Sequence, residues 1–335
     1  MAEPQDLPPL IGESPLFLDL MERVSRAAPL DRPVLLIGER GTGKELIGAR
    51  LHFLSRRWEG PFVRVNCAAL AESLLESELF GHEAGAFTGA VRRRLGRFEL
   101  ADAGTLLLDE IANASPQTQE KMLRAIEYGA FERVGGNETR HVDARVIGVT
   151  NVDLPAEAEA GRFRHDLLDR LAFDVLTVPP LRARPGDIPL LATHFGAAFT
   201  GELGRGAFPG FTGRARDALL DHDWPGNVRE LRNVVERAVY RHPPDESLID
   251  AISFDPFASP FRPPTAIPKP PKEPTPSPPL DAMAPVDLGA AMAETEKRLI
   301  EQALRANRHN QKAAARHLGL TYHQLRGRMR KHAVT

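Results

Sequence analysis

Lys44 closes the run Gly38-Glu39-Arg40-Gly41-Thr42-Gly43-Lys44, which follows a short apolar stretch, V-L-L-I at 34–37, and opens a helical one. Between a strand and a helix, G-x-x-x-x-G-K is a cradle for phosphate. Successive backbone N–H groups and the helix N-terminus face a β-phosphate, and the lysine neutralises the β and γ oxygens. Incidental glycines in a strand–turn–helix loop seldom reproduce the whole spacing. Where a Ser or Thr usually follows the lysine and ligates magnesium, this chain has Glu45. How Mg2+ is held is thereby left open, with Asp109 and water the favoured ligands. Asp109 and Glu110 end a second apolar run, T-L-L-L at 105–108. Adjacent carboxylates at the C-terminal edge of a parallel sheet lie beside the crevice where nucleotides bind. Asp109 is assigned to the metal and Glu110 to polarising the attacking water. An apolar run ending in Asp-Glu is common by itself; its pairing with Lys44 gives it weight.

A second cluster is mechanical. F-G-H-E-A-G-A-F-T-G-A at 80–90 sets one large apolar side chain, Phe87, and one hydroxyl, Thr88, among glycines and alanines. Gly81, Gly85 and Gly89 free the backbone from any regular period. No lysine follows these glycines, so this is not another phosphate cradle. Two readings stand: a mobile finger with an adhesive tip, or a surface turn with Phe87 folded into the core. Arg92-Arg93-Arg94 behind it reads as a solvated basic face. A hairpin-like stretch at 129–136 reads as support for the finger.

Five apolar runs must position these residues: 34–37, 62–65, 105–108, 145–149 and 174–178, with amphipathic segments at roughly 44–55, 70–79, 116–127 and 164–171. That alternation predicts a parallel five-stranded sheet with helices on both faces. Ahead of it, Leu16, Leu20 and Val24 suggest one helix. A lead of 33 residues has no room for a folded sensor domain, so control from outside the chain is expected. Residues 187–240 carry helical periods only, the last after Asn227, which reads as that helix's N-cap. Between Pro256 and Pro285 lie 12 of the chain's 29 prolines, which predicts an extended linker.

Beyond the linker, Asp287 caps a helix with an apolar face of Leu288, Met292, Leu299, Ile300, Ala303 and Leu304. A second helix runs from Gln311 to Leu318, Gly319 makes a tight turn, and Thr321 with Gln324 forms a capping box for a third. Leu325 and Met329 face a core; His323, Arg326 and Arg330 face out. After Glu301 there is no Asp or Glu. A helix–turn–helix with a basic exposed second helix fits the major groove of DNA better than a protein-binding bundle. The overall net charge of −2 hides this local asymmetry.

The 335 residues, 42% hydrophobic and 26% charged, have room for two or three domains. No apolar run approaches the ~18 residues of a membrane span, and the proline-rich acidic N-terminus is unlike a signal peptide. A single cysteine, Cys67, excludes internal disulfides and a cysteine metal cluster. A cytoplasmic, nucleoid-associated setting is expected.

G-A-F-T-G-A at 85–90, in a chain that also carries G-E-R-G-T-G-K-E, resembles the signature loop of the bacterial enhancer-binding proteins. These are AAA+ ATPases that activate RNA polymerase carrying sigma-54. N-Q-K-A-A-A-R-H-L-G-L at 310–320 resembles their Fis-type domain. The likeness covers residues 10–255 and 286–335. It implies an α/β AAA+ P-loop ATPase with a helical lid and a C-terminal helix-turn-helix: body at 1–182, lid at 183–255, linker at 256–285 and reader at 286–335. ATP and Mg2+ are the implied cofactors; sigma-54 RNA polymerase and double-stranded enhancer DNA are the implied partners.

Residue by residue, the resemblance gives Gly38 to Glu45, Asn151 and Arg229 to the nucleotide. Asn66 would hydrogen-bond Glu110 and couple nucleotide state to the finger, though a turn asparagine reads nearly as well. Arg164 and Arg170 match arginine fingers, which implies a hexameric ring; in-chain ion pairs with Asp166 or Asp169 are the alternative. Gly85, Ala86, Phe87, Thr88, Gly89 and Ala90 would touch sigma-54. Thr321, Tyr322, His323, Arg326 and Arg330 would touch DNA, in a dimer formed through the 288–304 helix. In one branch of the family, matched by S-R-R-W-E-G-P-F, the tryptophan at the position of Trp58 docks an inhibitory partner, phage shock protein A. Half-buried packing is that side chain's other fate.

Overall fold

The computed structural model describes residues 9–243, 247–259, 261–262, 287–307 and 310–332. The chain divides into two compact units, one ending at Ala258 and the other beginning at Ser259. In the first unit, five strands form one sheet in the spatial order Phe62–Asn66, Thr105–Asp109, Arg145–Thr150, Val34–Ile37, Asp174–Thr177. Every pairing is parallel, as expected for apolar runs covered on both sides. Successive side chains leave a strand on opposite faces, and the core divides accordingly. Leu35, Leu106 and Leu108 pack with Phe80, Phe98 and Phe131 on one face. Leu36 and Leu107 pack with Leu20, Val24, Ile47 and Leu51 on the other.

The helix Lys44–Phe53 lies close on that second face because residue 48 is glycine: a Cβ there would sit 2.3 Å from Leu107 Cδ1. The lead helix, Pro15–Ala27, starts on Ser14, whose hydroxyl accepts from the Phe17 N–H. It buries Phe17, Leu20, Val24 and Ala27, while Leu16 is 52% exposed. Steps of three and four, not uniform fours, follow the 3.6-residue turn, so the expected face is corrected by one position.

Helices Asp187–Glu202, Gly213–Asp221 and Asn227–Arg241 pack around Trp224, Leu231 and Val235 to make the lid. Trp224 is fully buried, and its indole N–H donates to the Leu219 carbonyl at 2.9 Å. Its backbone and that of Asn227 both take positive φ, 51° and 52°, so the W-P-G-N turn holds two strained non-glycine residues.

The second unit is three helices, Leu288–Ala306, Gln311–His317 and Tyr322–Lys331. Its core is Ile300, Ala303, Leu304, Ala314, Ala315, Leu325 and Met329. Gly319 makes the turn at φ 65°. Of the first helix's expected apolar face, Ile300, Ala303 and Leu304 are buried, while Met292 and Leu299 are exposed. Most of the proline-rich stretch expected as a linker lies outside the described residues. Among the described residues, no helix is long and apolar enough to cross a membrane.

Replacing Trp224 with alanine is expected to cost about 3–5 kcal/mol. Denaturant unfolding checks this, and a cost below about 1 kcal/mol would mean that the lid core does not need the indole.

Candidate active site

A cleft of about 370 Å³ opens at the C-terminal edge of the sheet, floored by Gly41, Thr42, Gly43 and Lys44. Asp109, Glu110, Asn151 and Arg229 face it from other elements. Its apolar end is built by the lead and the lid: Leu10, Ile11, Phe17, Leu191, Phe195 and Val228. Phosphate-sized polarity at one end and an apolar slot at the other suit a nucleotide. Lys44 Nζ donates to the carbonyls of Gly38 (2.7 Å) and Glu39 (2.8 Å), folded back over its own loop. Burial draws its pKa down, opposed by the nearby charges of Asp109 and Glu110.

Asn66 and Asp109 are register partners on adjacent parallel strands. The Asn66 amide accordingly donates to Asp109 Oδ2 at 3.2 Å, not to Glu110 as the resemblance implied. Its carbonyl oxygen accepts from the N–H groups of Ala68 and Ala69, so the turn reading is realised as well. Glu110 lies one residue past the strand with φ 51°, which turns it out of register. Its carboxylate meets Arg40 Nη2 at 3.4 Å and accepts from Asn113 at 3.4 Å.

Burial, then the charge of Glu45, pushes the Asp109 pKa up. A carboxylate so placed would be relieved by a hard cation. Among the described residues no cluster of three or more metal-type side chains forms. Asp109 with water therefore fits Mg2+, which takes one or two carboxylates and keeps its hydration, better than a cation needing a full protein cage. Beside Asp109 is Cys67, whose N–H donates to the Asp109 carbonyl at 2.8 Å. Burial pushes its thiol up to about 12.

Sequence reasoning missed how the lid grips the phosphate loop. Asn227 does not cap its helix; Gly226 stands at the cap and Asn227 is fully buried. Its amide donates to Glu39 Oε2 (3.0 Å) and to the Arg40 carbonyl (3.1 Å), while its oxygen accepts from Leu181 N (2.8 Å). Arg182 Nη1 donates to Glu39 at 2.9 Å, and Arg229 N to the Gly41 carbonyl at 3.3 Å. Glu39 and Arg40 were expected on the nucleotide; at variable positions of the loop motif they gave no sign of a lid contact, and Glu39 does not line the cleft. The buried Asp187 was also missed. It accepts from Glu13 N, Ser14 N and the Ser14 hydroxyl, which fastens the lead to the lid.

Arg164 and Arg170 do not line the cleft. Arg164 is paired with Asp166 at 2.7 Å, one of the in-chain partners weighed, and Arg170 with Glu127 rather than Asp169. Exposed pairs of this kind are worth about 0–1 kcal/mol and are easily exchanged.

The helix Glu72–Phe80 leads into the glycine-rich stretch, whose base is the antiparallel pair Gly81–His82 with Arg94–Leu95. Gly85 N donates to the Ala90 carbonyl at 2.8 Å and closes the loop. Phe87 is 42% exposed, edge-on to the His82 ring at 5.0 Å, and so is not locked in the core. Strands Ala130–Glu132 and Thr139–His141 form the supporting hairpin, extending beyond the expected 129–136. It joins the base through Glu83 N to the Val134 carbonyl (3.1 Å) and Val134 N to the Gly81 carbonyl (2.9 Å). Arg133, buried, pairs with Glu83 at 2.7 Å and with Glu99. Trp58 is 56% exposed, and the preceding Arg57 anchors its loop on Asp31 and Asp143.

In the second unit, Thr321 and Gln324 form the expected capping box. His323, Arg326 and Arg330 are exposed and Tyr322 is half-buried. Arg328 and His332 instead reach Glu296 on the first helix.

Three family descriptions match the chain: "Sigma-54 interaction domain" over residues 10–177, "AAA+ ATPase lid domain" over 182–263, and "Bacterial regulatory protein, Fis family" over 291–332. The Psp operon transcriptional activator of Escherichia coli K12 is 55% identical over 337 residues, spanning 100% of both chains. The transcriptional regulatory protein ZraR of the same organism is 46% identical over 93% of this chain and 66% of its own. Among solved structures, NtrX from Brucella abortus is similar in complex with ADP (TM-score 0.69, 31% identity) and with ATP (TM-score 0.68, 32% identity). Each match covers 97% of this chain and 70% of NtrX.

The loop–lid clamp carries a pH signature. Hydrogen bonds from Arg182, then Asn227, hold the Glu39 carboxyl at about 2, below the usual 4.5. A depressed carboxyl stabilises the fold above its unfolded pKa, and that contribution is lost as pH falls through the folded value. The clamp is therefore intact above about pH 4.5 and weakens toward about pH 2. Urea midpoints measured from about pH 6 to about pH 3 should fall further for the wild type than for Glu39→Gln, modestly because solvent screens the pair. Parallel curves would refute the clamp.

Proposed function

The chain belongs to the sigma-54-dependent transcriptional activators, ATPases that carry a Fis-type DNA-binding domain, and from that premise we propose how its residues divide the work. The body at 1–182 and lid at 183–255 hydrolyse ATP, and the reader at 286–335 holds enhancer DNA beyond the 256–285 linker. Backbone N–H groups of Gly41 to Lys44 and the Lys44 ammonium bind the β- and γ-phosphates. Asn151 and Arg229 contact the phosphates from the sheet edge and the lid. Asp109, with water, would hold Mg2+, which supplies charge neutralisation across the phosphoryl oxygens. Glu110 takes the proton of the attacking water as its oxygen bonds to the γ-phosphorus and the bond to the β-oxygen breaks, releasing ADP and phosphate. Arg164 and Arg170 exchange their in-chain carboxylates for a neighbour's nucleotide in a hexameric ring.

One observation carries the output: from the Asn66–Asp109 contact the chain passes through the turn at Ala68 and Ala69 and the helix Glu72–Phe80 into a loop whose Phe87 is exposed. Nucleotide state, felt at Asp109, is passed by Asn66 and this helix to Gly85–Ala90, which press on sigma-54 and remodel the closed promoter complex. On DNA, Thr321, Tyr322, His323, Arg326 and Arg330 face the major groove. Exposed Met292 and Leu299 on the first helix serve a dimer. Full-length likeness to the Escherichia coli Psp operon activator supports phage shock genes as targets, a cytoplasmic nucleoid setting, and exposed Trp58 as the dock for phage shock protein A.

Glu110→Ala should lower ATP turnover by about 10²–10⁴-fold. Thr88→Ala should keep turnover within about twofold of wild type yet lose open-complex formation on a sigma-54 promoter. Opening that survives in Thr88→Ala would mean the loop is not the output. Trp58→Ala should leave basal turnover unchanged and escape inhibition by added phage shock protein A; wild-type inhibition would end that assignment.

A further inference from the structure

We infer that Arg40 is a positioning residue that restrains Glu110; the inference rests on the ATPase reading above, in which Glu110 takes the proton from water. The Arg40 guanidinium meets Glu110 Oε1 at 3.4 Å, and both side chains line the nucleotide cleft. The other Glu110 oxygen accepts from Asn113 at 3.4 Å. Asn66, the partner implied by resemblance, is spent on Asp109. Glu110 is thus held from two sides by groups that do not react. An oxygen drawn toward a guanidinium is a weaker acceptor for the attacking water, so the pair slows turnover until it opens.

The backbone of Arg40 is itself pinned. Its carbonyl accepts from Asn227 in the lid at 3.1 Å, and Glu39 beside it is held by Arg182 at 2.9 Å. The guanidinium therefore reaches Glu110 from a fixed origin, while most of its surface is open to solvent. Exposed pairs are weak, so the restraint is reversible and its removal changes the rate only severalfold.

The test uses the full-length chain, with steady-state ATP turnover and, separately, the Kd of a fluorescent ATP analogue. Arg40→Ala and Arg40→Gln are expected to raise kcat about two- to fivefold with KM and Kd within about twofold of wild type. Arg40→Lys, which keeps the charge, should raise kcat less than either neutral variant. A fall in kcat in both neutral variants would overturn the inference and give the guanidinium to the phosphates instead. So would a change confined to KM and Kd, or a lysine variant that behaves like alanine. If the wild type itself fails to hydrolyse ATP, the ATPase reading falls; if it hydrolyses and the neutral variants are slowed, only the role of Arg40 falls.

Discussion

The pairing of strand Phe62–Asn66 with strand Thr105–Asp109 is the constraint on which the rest depends. Parallel register fixes which residue stands opposite which, and here it sets an amide directly beside a half-buried carboxylate at the nucleotide crevice. A slip of one residue would turn every side chain of the strand to the other face. The same register makes the end of the outer strand a departure point: Asn66 closes a turn on Ala68 and Ala69, and the chain proceeds through one helix to the exposed loop. Chemistry and output are covalently close because two strands end at the same level.

The lid contributes differently. Among the described residues it shares no strand with the body, and its grip consists of polar contacts to the phosphate loop and apolar contacts around the lead. Glycine at position 41 is required there, since a Cβ would lie 2.3 Å from the Gly226 carbonyl. Asn227 reaches across only because its own backbone accepts a positive φ. Arg133 braces the loop base by a different balance. Its partners Glu83 and Glu99 are partly shielded, and a buried guanidinium deprived of them would cost about 3–5 kcal/mol. The loop thus stands on a stiff footing.

Much of this was legible in the chain. The five apolar runs became the five strands because parallel sheets bury whole runs, and the Gly-Lys spacing marked the loop because that geometry, between a strand and a helix, cradles phosphate. What escaped were contacts between residues distant in sequence. Asn227 read as a helix cap because capping is local, whereas its real partners, Glu39 and Arg40, are far away in the chain. Asn66 was expected on Glu110 because the motif names that glutamate, yet the register hands it Asp109. Leu16, with Leu20 and Val24, signalled the lead helix, but only the accumulated turn shows that its buried face takes Phe17 and leaves Leu16 exposed.

Cys67, the chain's single cysteine, is buried against the strand ends with its thiol raised to about 12. A thiol that is neither accessible nor ionised at neutral pH does not react with maleimides or disulfide probes. The native protein is therefore expected to be silent toward such reagents. A cysteine introduced anywhere on the surface becomes a unique handle, so a spectroscopic label can be set on the exposed loop without first stripping thiols from the framework.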